Sequence, residues 1–296
     1  MNLQERRQSS QGIYRRVLSV VLGLAIVSLV VYANYSMQVT LSGRMTRKDF
    51  MSLWTGAKAI VLGLNPYDPA VWRPLRVAYG CNWNPDQVSP WPHWTHLLFV
   101  PLSFFTPEVA GAIWMTTCEL SLILGISLLI RISGWEGRSA LYVLSGGTFF
   151  FRPVFPAIFN GQISPLLFLV LAAAYALHWQ GHPFAAGLLF AIQALKPNAT
   201  AFLLLAVGIL FLFRQDWRAL AGLLTGGLGL LFVSWCVSPG WLLPWFLGAL
   251  TGKGGGAFAV PTLWGLIYEF GGSRCWPQTG IVAAGAVYSG SNISVL

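Results

Sequence analysis

Long apolar runs recur along this chain, and they limit its possible folds more than any other feature. The first extends from Val17 to Tyr35. Others follow at 94–105, 108–130, 139–156, 163–179, 183–195, 198–213, 218–237 and 257–270, with a weaker one at 278–288. A run of ~20 apolar residues matches the ~30 Å hydrocarbon core of a bilayer, whereas a helix of a soluble domain shows a narrower apolar stripe. Charged residues make up only 9% of the sequence, far too few to cover the surface of a soluble domain this long. The expectation is an all-α polytopic membrane protein, a bundle of about eight to nine hydrophobic segments.

The formal net charge of +9 does not indicate a nucleic-acid partner. The basic residues are scattered at the ends of hydrophobic segments, where they act as topology signals. Cys81, Cys118, Cys236 and Cys275 lack metal-type spacing, so no cofactor and no metal site is assigned.

Residues 1–16 form a polar tail carrying Arg6, Arg7, Arg15 and Arg16, which places the N-terminus in the cytoplasm. Val31-Tyr32-Ala33 loosely resembles a signal-peptide cleavage site, but further spans follow, so an uncleaved first helix is expected. A single transmembrane domain then covers 17–288, with residues 36–92 as a large first external loop. Residues 289–296 form a tail that reads as neither a span nor a finished loop. The run 94–105 is too short to cross and reads as a re-entrant or tilted half-span. With that segment not crossing, Arg131, Arg138, Arg214 and Arg218 all fall on the cytoplasmic side; a full crossing would export them. The first topology is preferred. It leaves the 36–92 loop, the Arg152–Gln162 connection, Lys196 and the 238–256 loop with Lys253 outside.

The chain has nine carboxylates, so each can be weighed. Asp49 opens a helical stripe of Phe50, Leu53, Trp54, Ala57, Ile60, Val61 and Leu64. The stripe predicts an amphipathic helix in the membrane interface, with Trp54 at headgroup level. Thr46-x-x-Asp49 resembles a capping box, and an acid in the first turn suits the helix dipole. The other reading of Asp49 is a general base kept ionised by Arg44, Arg47 and Lys48. Asp68 and Asp86, each beside prolines, read as turn-forming residues. His93 and His96, three apart where the chain re-enters the membrane, could share a helical face and contact a phosphate or bind a metal, although the pair lacks the third ligand a metal site needs. Asn160-Gly161-Gln162 and Lys196-Pro197-Asn198 interrupt or begin apolar runs on the outer side. Lys196 either snorkels to the interface or sits as a point charge on a lipid-linked phosphate, and Arg152 is a similar candidate. Glu119, deep in 108–130, is expected to find a partner in Thr116, Thr117 or Ser121.

Asp49-Phe50, Trp54, Ala57, Gly63, Asn65-Pro66-Tyr67, Pro92, Phe99-Val100-Pro101-Leu102, Gly161-Gln162 and Lys196-Pro197 occur in an order that resembles glycosyltransferase family 87. That family belongs to the GT-C superfamily and comprises mannosyltransferases that use polyprenyl-phosphate mannose. The resemblance implies a GT-C-type bundle in a bacterial plasma membrane, with its active site on the external face. It implies inverting transfer of a hexose, mannose above all, from a polyprenyl-phosphate donor to a glycan or glycolipid acceptor. Asp49 would then be the catalytic base. Lys196, with Arg152, Gln162, His93 and His96, would hold the donor phosphate and substrate.

The alternative is a non-catalytic transporter or scaffold for lipid-linked glycans, or an inactive truncated relative. A transporter favours ionisable residues at the bilayer midplane and internal repeats. Here the polar groups cluster outside, which favours the enzyme, and Glu119 is the main observation on the other side.

Overall fold

The computed structural model describes residues 3–40, 49–80, 88–134, 142, 146–148, 151 and 153–250, and helix is the only regular structure among them. Helix α1 (Leu3–Thr40) runs unbroken through both the polar tail and the first apolar segment. At ~1.5 Å per residue its 38 residues are longer than the hydrocarbon core requires. Helices α2 (Asp49–Val61), α3 (Pro69–Ala78) and α4 (His93–Phe99) follow, the last continued by a 3₁₀ turn at Val100–Phe104. Then come α5 (Pro107–Ser133), α6 (Val154–Phe159), α7 (Ser164–Trp179) and α8 (Pro183–Ala191), extended by a 3₁₀ turn at Ile192–Leu195. The described chain closes with α9 (Pro197–Phe213), α10 (Trp217–Val237) and α11 (Leu242–Leu250).

Three of these helices contain stretches long and apolar enough to span a membrane: Ser19–Thr40, Pro107–Ser133 and Trp217–Val237. Ser164–Trp179, Pro183–Leu195 and Pro197–Phe213 are shorter apolar helices. The expected segments at 257–270 and 278–288 lie outside the described residues, as does half of 139–156. The 94–105 run forms a short helix and a 3₁₀ turn.

Lipid-facing and buried surfaces divide as expected for a bundle in hydrocarbon. Leu24, Ile26 and Leu29 on α1, and Leu228 and Phe232 on α10, are exposed. Helices α1 and α5 are joined by polar contacts: Asn34 Nδ2 donates to Thr116 Oγ1 at 3.0 Å and to Glu119 Oε2 at 3.1 Å. The expected partners of Glu119 are engaged with their own helix, since Thr116, Thr117 and Ser121 donate to carbonyls four residues back. Asn34 takes their place.

Helices α8 and α10 meet through glycines. A Cβ on Gly187 would stand 2.1 Å from the Ala219 carbonyl oxygen, and one on Gly222 2.1 Å from that of Phe184. Without a hydrophobic effect between helices in lipid, such close backbone approach is what gives van der Waals packing its strength. Asp216 caps α10 by accepting from Ala219 N, and His178 Nε2 lies 3.5 Å from the Asp216 carboxylate.

Two loop expectations require correction. Helix α2 does not lie as an amphipathic helix at the lipid surface, because Phe50 to Ala57 and Ala59 are all buried. Trp54 is a core residue whose Nε1 donates to Leu102 O at 3.1 Å. The physical reason is that the face opposite the apolar stripe consists of Ser52, Thr55, Gly56 and Ala59. These are small uncharged residues that pack as readily as they hydrate. The second correction concerns 238–256, read as a loop, where residues 242–250 form α11. Trp241 and Trp245 fold back onto Trp94, with ring centroids 5.0 and 6.1 Å away. Trp245 Nε1 also donates to Pro90 O at 3.3 Å. Asp68 forms more than a turn: its carboxylate accepts from Ala70 N and caps α3.

Candidate functional site

Three chain breaks meet at one place: the start of α2, the turn between α6 and α7, and the break between the 3₁₀ turn at Ile192–Leu195 and α9. The first two are locked by the backbone. Phe50 N donates to Asn160 O at 3.0 Å, and Trp114 Nε1 holds Gly161 O at 2.9 Å. Gly161 has φ +67°, and a Cβ there would stand 2.5 Å from the Cβ of Phe50. Both the left-handed backbone and the close approach require glycine. The turn therefore delivers Gln162 to the start of α2, where Asp49 sits.

The third break comes from Pro197. Proline at the first helical position cannot continue the preceding helix, so carbonyls before it lose their usual donors. Side chains replace those donors: Trp94 Nε1 donates to Ala194 O at 2.9 Å and Thr95 Oγ1 to Leu195 O at 2.7 Å. Thr200 Oγ1 donates to Gln193 O, and Gln193 Nε2 reaches back to Leu167 O at 2.9 Å. Lys196 is thus held at a fixed point between two apolar helices. Its ammonium donates to Gln162 Oε1 at 3.2 Å and to Ser164 Oγ at 2.9 Å.

Asp49 completes the group. Burial pushes its carboxyl above the usual carboxylate range, and the Lys196 charge and a hydrogen bond from the Gln162 amide partly offset this. Burial pulls the Lys196 ammonium below its ordinary value, and Asp49 partly restores it. An acid, a cation and a neutral amide between them form a polar group next to Phe50, which belongs to an apolar cluster with Phe99 and Trp114. A carboxylate with a raised pKa is a stronger base than a solvated one, and an ammonium with a spare N–H suits a departing anion.

Of the residues singled out from sequence, Asp49, Gln162 and Lys196 converge. Arg152 lies outside the described residues, as do Arg44, Arg47, Lys48 and the first residue of the Thr46-x-x-Asp49 capping pattern. His93 and His96 are fully buried; His96 is hydrogen-bonded to other groups, and neither His93 ring nitrogen has a hydrogen-bond partner among the described residues. His96 Nε2 lies 2.6 Å from Ser89 Oγ, and Nδ1 lies 3.3 Å from Leu53 O. His93 packs on Trp241 with ring centroids 5.7 Å apart. Burial lowers His93 to about 4; burial and the neighbouring His93 lower His96 to about 3, so both are neutral near pH 7. Ser164 was not anticipated. Its only signal is a hydroxyl two residues after Gln162 at a helix start, where serine is ordinary. Among the described residues, no three His, Cys, Asp or Glu side chains gather as a metal site.

An apolar cavity of about 480 Å³ adjoins the group. It is lined by Leu122, Phe151, Val154, Ala157, Pro165 and Phe168, and Ser164, which holds Lys196, forms part of its wall.

The chain matches the model of glycosyltransferase family 87 over residues 92–288. That stretch includes Gln162, Ser164 and Lys196, and Asp49 precedes it. No curated protein and no solved structure matches the chain.

Proposed function

The chain belongs to glycosyltransferase family 87, a membrane glycosyltransferase by that membership, and we propose that it moves a hexose, mannose, from a polyprenyl-phosphate donor to a glycan or glycolipid acceptor. The observation that carries this reading is the meeting of Asp49, Gln162 and Lys196 from three separate breaks in the chain. Asp49 accepts the proton of the acceptor hydroxyl. The acceptor oxygen attacks the anomeric carbon on the face opposite the phosphate, the bond from that carbon to the phosphate oxygen breaks, and polyprenyl phosphate leaves with the electron pair. A β-linked donor gives an α-mannoside. Lys196 neutralises the charge that grows on the leaving phosphate, while Gln162 holds base and cation in register. No step is assigned to a metal.

The adjoining cavity supports a lipid-borne donor. Its volume falls within the ~300–1,000 Å³ of small-molecule sites. Its walls are almost wholly apolar, and the one hydroxyl in direct contact with Lys196 lies in its lining. An isoprenoid tail would lie there with its phosphate at the Ser164 end. The positions of arginines at the ends of the apolar runs support a cytoplasmic N-terminus and a site on the external face of a plasma membrane.

Donor-dependent transfer by the purified protein tests this reading. Radiolabelled mannose should pass from a long-chain polyprenyl phosphate to one or more of a panel of glycan and glycolipid acceptors, and a nucleotide sugar should not replace the donor. Transfer from the nucleotide sugar, or none from the lipid donor with any acceptor, overturns it.

A further inference from the structure

Asp49 is aimed by a helix, and that helix is held from behind. The imidazole of His96 lies flat on the backbone of α2 at Gly56. A Cβ on Gly56 would meet the ring at 2.0 Å from Cε1 and 2.2 Å from Nδ1, so only glycine admits it there. The ring also ties α2 to its neighbours through both nitrogens. Leu53 O can only accept, so Nδ1 carries the proton and donates to it across 3.3 Å. Nε2 is then the acceptor, and Ser89 Oγ–H donates to it across 2.6 Å. Ser89 is itself fixed: Trp91 N donates to its oxygen at 3.3 Å, and its own N–H donates to Pro66 O at 3.0 Å. The chain of donors runs one way, from backbone through serine and imidazole to the α2 carbonyl. His96 and Ser89 are both buried, so water does not compete for these bonds.

The position of the contact gives it a consequence at the site. Leu53 lies one turn after Asp49, and Gly56 nearly two turns after it. The other end of α2 is clamped by Phe50 N on Asn160 O. These two contacts tie the first two turns of α2 to neighbouring elements, with the Asp49 carboxyl beside Gln162 and Lys196.

We propose that His96, braced by Ser89, is a positioning residue for Asp49: it holds α2 through Leu53 O and Gly56, and contacts no substrate. This rests on Asp49 being the base, as argued above. It assigns His96 a different task from a phosphate contact, because a neutral, enclosed ring with both nitrogens engaged has no donor left for an anion.

His96→Gln and Ser89→Ala test the proposal on the full-length purified protein. In His96→Gln the side-chain amide can still face Ser89, but the donor to Leu53 O is lost. A base misplaced by about 1 Å can cost ~100-fold in rate. The expected result is therefore a fall of at least about tenfold in kcat with donor KM within about twofold of wild type, in His96→Gln and more mildly in Ser89→Ala. Unchanged kcat per folded molecule would show a packing role alone, and a rise in KM with unchanged kcat would show a direct donor contact. Either overturns the proposal.

A second readout does not depend on activity, and so separates this proposal from the functional reading. The chain has four aspartates. Titrating the ¹³C-carboxyl resonances of aspartate-labelled protein, with Asp49→Asn to assign the signal, should find Asp49 above the ordinary carboxylate range in wild type. In His96→Gln, as α2 loosens and water reaches the carboxyl, it should move down toward that range. An identical titration in both proteins overturns the positioning role even if no donor is ever found.

Discussion

Removing the Lys196 ammonium should damage turnover far more than it damages the fold. An ammonium has three N–H donors, and two of them are already directed at Gln162 Oε1 and Ser164 Oγ, at 3.2 and 2.9 Å. Among the described residues the third has no acceptor, which leaves it for a substrate oxygen, and the first two fix its direction before the substrate arrives. Removing one such preorganised donor costs about 10²–10³-fold in kcat, or roughly 2.7–4 kcal/mol of transition-state stabilisation. Lys196→Met should show a loss of that size. Its pH profile should also change in a defined direction. In its proposed role as base Asp49 would act only when ionised, and the Lys196 charge holds its pKa down against burial. Without that charge the carboxyl keeps its proton to higher pH, so the acid limb of kcat/KM should move upward. The assay is radiolabelled sugar transfer by purified wild type and variant across a pH series, with thermal denaturation confirming that both are folded. A kcat within about threefold of wild type would refute the reasoning that Lys196 carries leaving-group charge. An acid limb that moves down would refute the coupling to Asp49.

Two further predictions concern the scaffold. Gly222→Ala places a methyl 2.1 Å from the Phe184 carbonyl oxygen and 3.1 Å from Leu188 N, both backbone atoms that cannot swing aside. The variant should lose about 1–3 kcal/mol of stability, whereas Gly227→Ala, with nothing within 4 Å, should not; thermal denaturation in detergent compares the two. Asn34→Leu removes the amide from Glu119 and Thr116, and should lower stability by about 1–3 kcal/mol. Adding Glu119→Gln should recover part of that loss, and a double variant no better than the single one would count against the pairing.

The membrane helices were legible because hydrocarbon imposes length and apolarity directly on the sequence. Lys196 and Gln162 stood out for the same reason: a polar group between apolar runs is costly unless it has a task or a partner. What sequence could not give was which polar groups face one another. Asn34 and Glu119 are 85 positions apart, and nothing local marks them as a pair. The burial of α2 was hidden because Ser52, Thr55 and Gly56 look like a solvated face until a neighbour packs against them. His96 was misleading for a related reason. An imidazole near a membrane boundary suggests a ligand, yet here Gly56, 40 positions earlier, makes the recess that encloses it. Helix α11 was masked by Gly240 and Pro244, which punctuate 238–256 like a loop. Pro244 falls within the first turn of α11, where its missing N–H is not needed.

The role of Asp49 as base is decided by Asp49→Asn. Asparagine has nearly the same shape and can still bond to Gln162, but it cannot take a proton from an acceptor hydroxyl. With protein level and thermal stability unchanged, transfer of radiolabelled mannose from polyprenyl phosphate should be abolished in this variant. Full activity in Asp49→Asn would contradict the account, leaving Asp49 as no more than the acid that opens α2.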